Sequence, residues 1–168
     1  LQTLQPRSIV LTGLPLDVDY SLSQPRTQSL IVRNFHWLRA WGGPVLGICY
    51  GHQILAHIFG GEVGTLDEPV CDRHFLLQIE PHHQTGIFQG VAELDVFAEH
   101  RDYVTRIPPV FTVLSRKDGV PYIMRHSSYA IYGMQFVPEQ SGEAAQTVLA
   151  RFLEHMPTQI APADQNRS

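Results

Sequence analysis

Residues 45–53, Val-Leu-Gly-Ile-Cys-Tyr-Gly-His-Gln, decide the fold. Val45 to Ile48 is apolar without alternation, which is the pattern of a short strand covered on both faces. From Tyr50 to about Phe59 the spacing is helical, and Gly60-Gly61 ends it. A buried strand running straight into a helix requires a sharp turn, and Cys49 sits on it. Such a turn pushes one side chain out beyond the C-terminal edge of the sheet. Gly47 and Gly51, two residues to either side, let the crossing backbones approach each other. The helix N-terminus is expected to favour a thiolate and lower the Cys49 pKa. The backbone N–H of Tyr50 would point where negative charge develops on an oxygen. The bland alternative is a small buried cysteine in a glycine-rich turn.

Working outward, Ser8 to Leu11 reads as a buried strand, with a turn at Thr12-Gly13-Leu14-Pro15 and a loop over Asp17 to Pro25. A helix is expected from about Thr27 to Trp41, with Ile31, Phe35 and Leu38 on one face. Gly42-Gly43-Pro44 stops it. Further on, His74 to Glu80, Glu93 to Ala98, Val110 to Leu114, Pro121 to Met124 and Ala130 to Phe136 read as strands. They are broken at Pro108-Pro109, Lys117-Asp118-Gly119 and His126-Ser127-Ser128. A last helix is expected over about Gly142 to His155, its apolar face made of Ala145, Val148, Leu149, Phe152 and Leu153. Strand–helix alternation followed by hairpin-like strands and a helix predicts an α/β sheet with an antiparallel extension.

The 168 residues suit one domain, expected over residues 1–156, with residues 157–168 as a flexible tail. Twelve Lys and Arg against sixteen Asp and Glu give a net charge of −4, which disfavours a nucleic-acid surface. No apolar run approaches the length of a membrane helix, and Leu1 to Arg7 lacks the apolar centre of a leader peptide. Cys49 and Cys71 are too few for a disulfide framework and fit a reducing, cytoplasmic setting. Starting at Leu1 marks a processed chain or a piece of a longer one. His74, His82 and His83 lack metal-ligand spacing and read as surface histidines, so no metal and no cofactor is expected. No phosphate-binding glycine loop is present, so any ATP-using step lies elsewhere.

Gly47-Ile48-Cys49-Tyr50-Gly51-His52-Gln53 resembles the nucleophile motif of class I glutamine amidotransferases. Three further stretches support the likeness in the family's order. Tyr132-Gly133-Met134-Gln135-Phe136-Val137-Pro138-Glu139 is similar to the segment that supplies that family's catalytic His and Glu. His100-Arg101-Asp102-Tyr103-Val104, with Pro108 beyond, resembles the His-Gly-Asp segment of the GMP synthase-type branch. Ser8 to Pro15 looks like the strand leading to the family's Ser-Gly-Gly-Pro turn. The resemblance spans about Leu4 to Glu154. It implies a flavodoxin-like, mostly parallel sheet with helices on both faces. It implies glutamine hydrolysis through a Cys49 thioester, with ammonia passed to a synthetase subunit or domain.

Carried over residue by residue, the resemblance makes Cys49 the nucleophile and Glu139 the acidic triad member. Tyr50 and Leu14 become the oxyanion positions, and Gln53, Arg101 and Asp102 substrate contacts. It also exposes three departures. Val137 occupies the catalytic His position, and valine cannot carry a proton. Leu14 replaces an oxyanion-hole glycine, and Arg101 replaces the glycine of His-Gly-Asp. The expectation is therefore weak or lost glutaminase activity. Two alternatives are a catalytically inactive binding or regulatory module and a cysteine hydrolase using His100 or His126 as base. His52 implies no new role, since active members often carry His there. The family usually begins with a strand, a helix and another strand before the Ser8 segment. Either the sequence starts late, or a partner supplies the strand, or the fold is rearranged, and an exposed central-strand edge favours a fragment or association.

Overall fold

The computed structural model describes residues 6–13 and 21–155, so Leu14 and the expected tail lie outside the described residues. Five strands form the main sheet in the order β1, β2, β7, β6, β5. Strands β1 (Ile9–Leu11), β2 (Val45–Ile48) and β7 (Ile131–Met134) are parallel. Strands β6 (Val120–His126) and β5 (Phe111–Lys117) add the antiparallel extension. The β5–β6 hairpin closes through Asp118 and Gly119, both at positive φ (50° and 82°), which is the handedness a two-residue hairpin turn needs.

β2 lies between two parallel partners, and its side chains alternate between two cores. Val45 and Ile131 join Ile31 of α1 (Pro25–Phe35) and Ile54, Leu55 and Ile58 of α2 (Tyr50–Ile58). Leu46, Ile48, Tyr132 and Met134 join Ala145, Val148 and Phe152 of α3 (Glu143–His155). Helices thus cover both faces, and the unalternating apolar run in β2 has its physical cause.

Three sequence expectations are corrected. β3 (Glu62–Gln78) and β4 (Glu93–Arg106) are far longer than the apolar runs at His74–Glu80 and Glu93–Ala98. They pair with each other as a separate antiparallel ribbon rather than extending the main sheet. Register shifts between Thr65 and Val70 and between Val70 and Arg73 let the ribbon pass Pro69 and the positive-φ Asp72 without ending. The helix expected to reach Trp41 stops at Phe35 and continues as a tighter 3₁₀ turn over His36–Ala40. There the Trp37 indole N–H donates to the Asn34 carbonyl (2.8 Å), competing for an acceptor of the helical ladder. Leu153, placed on the apolar face of the last helix, is 58% exposed.

Candidate active site

Cys49 leaves β2 at the C-terminal edge of the sheet with φ 52° and ψ −105°. A non-glycine residue rarely occupies this region, and the surroundings hold it there. Its N–H donates to the Met134 carbonyl of β7 (2.7 Å), and its carbonyl accepts from the Gln53 N–H (3.3 Å). The flanking glycines are needed sterically. A Cβ on Gly47 would meet the Gly51 carbonyl carbon at 2.6 Å and Leu55 Cδ1 at 2.7 Å. One on Gly51 would run into the Leu11 carbonyl and meet Leu11 Cβ at 2.7 Å. The elbow expected from spacing alone is therefore present, wedged between β1 and the first turn of α2.

The thiol sits in a small, mostly buried cup. The Tyr50 backbone N–H lies beside the sulfur and favours its ionised form. The Gln135 carboxamide donates to Sγ (3.8 Å), and the thiol points at the Glu99 carbonyl (3.7 Å). Gly13, at the end of β1, comes so close that a Cβ there would stand 3.3 Å from Cys49 Cβ. The expectation of a lowered thiol pKa is overturned: the Cys49 pKa is pushed up to about 11. Burial is the main cause, and the negative charges of Glu99 and Glu139 add to it. The Tyr50 and Gln135 donors only partly offset them. At neutral pH the sulfur is a thiol.

The other expected site residues divide. Gln53, on the second turn of α2, is buried; its amide donates to the Asp102 carbonyl (2.8 Å) and to Gln135 Oε1 (3.3 Å). Asp102 enters this network through its backbone, while its carboxylate accepts from Thr65 (2.8 Å) across the ribbon. Arg101 is exposed on β4. Glu139 is exposed, in the 3₁₀ turn Pro138–Gln140, where its charge reaches Cys49. Val137 stands on the loop leaving β7, two residues past Gln135, its N–H donating to the Phe97 carbonyl (2.9 Å).

Neither His100 nor His126, the two possible substitute bases, hydrogen-bonds to Cys49. His100 is buried, with Nε2 on the Tyr122 hydroxyl (3.0 Å), Nδ1 against the Asp102 carbonyl (3.1 Å) and a pKa pushed down to about 4 by burial. His126 packs against Phe59 and Phe111, and its Nδ1 accepts from the N–H groups of Ser128 and Tyr129. His52 is fully buried with neither ring nitrogen hydrogen-bonded among the described residues, and burial pushes its pKa down to about 3.

Gln135 and Glu99 are site residues that the sequence reading missed. The signal for Gln135 was available, because a glutamine inside the apolar run Ala130–Phe136 must find partners once buried. A separate cavity of about 480 Å³ lies beside the site, between β1, α1 and α2, lined by Val10, Leu30, Ile31, Phe35, Tyr50 and Ile54 among others. It does not include Cys49.

Comparison with known proteins gives the family of the chain. Residues 3–156 match the family described as Glutamine amidotransferase class-I. The glutamine-hydrolyzing GMP synthase subunit of Pyrococcus furiosus is 34% identical over 141 residues, covering 83% of this chain and 69% of that protein. Its counterpart in Pyrococcus abyssi is 34% identical over 155 residues, covering 90% of this chain and 77% of the relative. A crystal structure of a Thermoplasma acidophilum protein, described as a subunit of GMP synthase, superposes with a TM-score of 0.74 at 22% identity. It covers 90% of this chain and 73% of that one. A glutamine amidotransferase of Thermotoga maritima gives a TM-score of 0.60 at 21% identity, covering 88% of this chain and 61% of the other. These two structures share the fold. The chain belongs to the class-I glutamine amidotransferase family, in its GMP synthase-like branch.

Proposed function

From that membership, we propose that the chain is a glutamine-binding amidotransferase subunit that hydrolyses the side-chain amide of glutamine slowly or not at all. When active, it would hand ammonia to a synthetase subunit or domain. The observation that carries the reading is the strained elbow at Cys49, with the Tyr50 N–H beside its sulfur; the resemblance sets Val137 at the position of the base.

The chemistry assigns each group a task. Cys49 Sγ, after losing its proton, attacks the amide carbon and forms the S–C bond. The carbonyl oxygen takes the negative charge, and the Tyr50 N–H receives it. Collapse breaks the C–N bond, and the nitrogen leaves as ammonia after gaining a proton. Water then cleaves the thioester to glutamate and the free thiol. Two proton transfers in this sequence need a group that titrates near neutrality. Val137 supplies none, and the high thiol pKa leaves only about one sulfur in ten thousand ionised at pH 7. Loss of the base from such a triad costs several orders of magnitude in rate.

Leu14, at the family's second oxyanion position, would contribute its backbone N–H. Gln53 and the Asp102 backbone would bind or frame the amino-acid end of glutamine, with Arg101 at the rim offering a cation to its carboxylate. Glu139 would orient a histidine that is absent. The second reading is a binding or regulatory module, favoured by the raised thiol pKa beside two acids. Glutamine hydrolysis by the chain, with Cys49→Ala as control, tests the proposal. Cys49-dependent turnover several orders below that of a relative with an intact triad, or a bound glutamine without turnover, supports it. Turnover that survives Cys49→Ala overturns it.

A further inference from the structure

We infer that Gln135 is the positioning residue of the Cys49 thiol: its carboxamide, aimed by Gln53, holds the sulfur at the elbow and stabilises negative charge as it forms there. The inference deepens the reading above and rests on it in taking Cys49 as the nucleophile.

The geometry fixes which end of the Gln135 amide meets the sulfur. Gln53 donates one N–H to the Asp102 carbonyl at 2.8 Å and the other to Gln135 Oε1 at 3.3 Å. Both donors of one amide group are thereby committed, and the Gln135 oxygen must face Gln53. Its NH₂ group is left facing Cys49, 3.8 Å from Sγ. Gln135 is fully buried, so no water competes for that donor. The chain of amides runs from the ribbon strand β4, through α2, to the loop after β7, and ends on the reacting atom. A donor to sulfur is worth little to a neutral thiol and much more to a thiolate. The charged groups acting on Cys49 are Glu99 from β4 and Glu139 from the turn after β7, and both oppose ionisation. With no imidazole at Val137, Gln135 is the side-chain donor that works against them.

Alkylation by iodoacetamide between pH 7 and pH 9.5, followed by mass spectrometry at each cysteine, tests this. An S–C bond forms, the C–I bond breaks, iodide leaves and the thiol proton goes to water. Exposed Cys71 is the internal reference. In Gln135→Met, Cys49 should react about tenfold more slowly than in the parent chain at each pH, the lower end for a hydrogen bond to a charged group. Cys71 should be unchanged. Gln53→Met should slow Cys49 in the same direction without touching the sulfur. A merely structural role has the opposite sign, since loosened packing exposes Cys49 and speeds its reaction. An unchanged or faster Cys49 in Gln135→Met overturns the inference, as does a parent chain whose Cys49 never labels while Cys71 does. If Gln135→Met lacks a cooperative melt, Gln53→Met decides by the same criterion. Glutamine hydrolysis is not part of the readout. A chain that never hydrolyses glutamine can still satisfy the test, and one that does can still fail it.

Discussion

Replacing Cys49 by Gly and by Ala separates backbone strain from side-chain loss. Both variants delete the sulfur, so its burial and its contacts with Gln135 and Glu99 cancel in the comparison. What remains is a Cβ at φ 52°, ψ −105°. A non-glycine residue held in such a region costs about 1–3 kcal/mol. Against this, glycine gains more freedom in the unfolded chain, which destabilises it by about 0.4–1 kcal/mol relative to alanine. Cys49→Gly should therefore be the more stable by about 1–2 kcal/mol. For a chain of this size each kcal/mol moves Tm by about 2–4 °C, so the melting points should differ by about 2–8 °C. The sign is diagnostic, because alanine outranks glycine at ordinary helical positions. Differential scanning calorimetry of the two variants decides it. An alanine variant as stable as the glycine one would refute the strained elbow on which the site is built.

Other consequences follow from the same geometry. Gly51→Ala should lower Tm by several degrees, because a backbone collision with Leu11 costing about 1–3 kcal/mol outweighs a helix-propensity gain of about 1 kcal/mol; an unchanged melt would mean that β1 yields. His52 and His100 stay neutral when folded down to pH about 3 and about 4, whereas in the unfolded chain they protonate below about 6.5. The unfolded state thus binds more protons in that window, so stability should fall as pH drops from about 6.5 toward 4, by up to about 1.4 kcal/mol per pH unit for each histidine. Urea midpoints at pH 7, 6 and 5 read the slope, and His100→Phe should make it shallower. Val137→His should raise Cys49-dependent glutamine hydrolysis by at least tenfold in a degenerate amidotransferase site, since general acid–base groups contribute about 10²–10⁴; no gain in a folded variant would point to a site repurposed for other chemistry.

The elbow was legible because its requirements are local. A doubly covered strand, a glycine on each side of Cys49 and a helical run after it are all written within residues 45–59. The long ribbon was not legible. Gly64, Asp67, Glu68, Pro69 and Asp72 break the alternation of β3, and its continuity comes from pairing with β4 across three register shifts. The site residues separate in the same way. The positions of Cys49, Tyr50 and Gln53 follow from the turn and the first helical turns. The thiol pKa was misjudged because the helix N-terminus is a local feature, whereas burial and the charges of Glu99 and Glu139 arrive from elements 50 and 90 residues away. Gln135 reaches the sulfur only because β7 lies beside β2, a neighbour relation that no spacing in the sequence encodes.

The most direct test of the central claim is exposure of the folded chain to an electrophilic glutamine analogue, with the modified residue located by mass spectrometry. An adduct on Cys49, prevented by excess glutamine, is expected, because the proposal keeps the pocket and the thiol without a proton carrier at Val137. Modification that ignores glutamine, or falls on Cys71 alone, would contradict it.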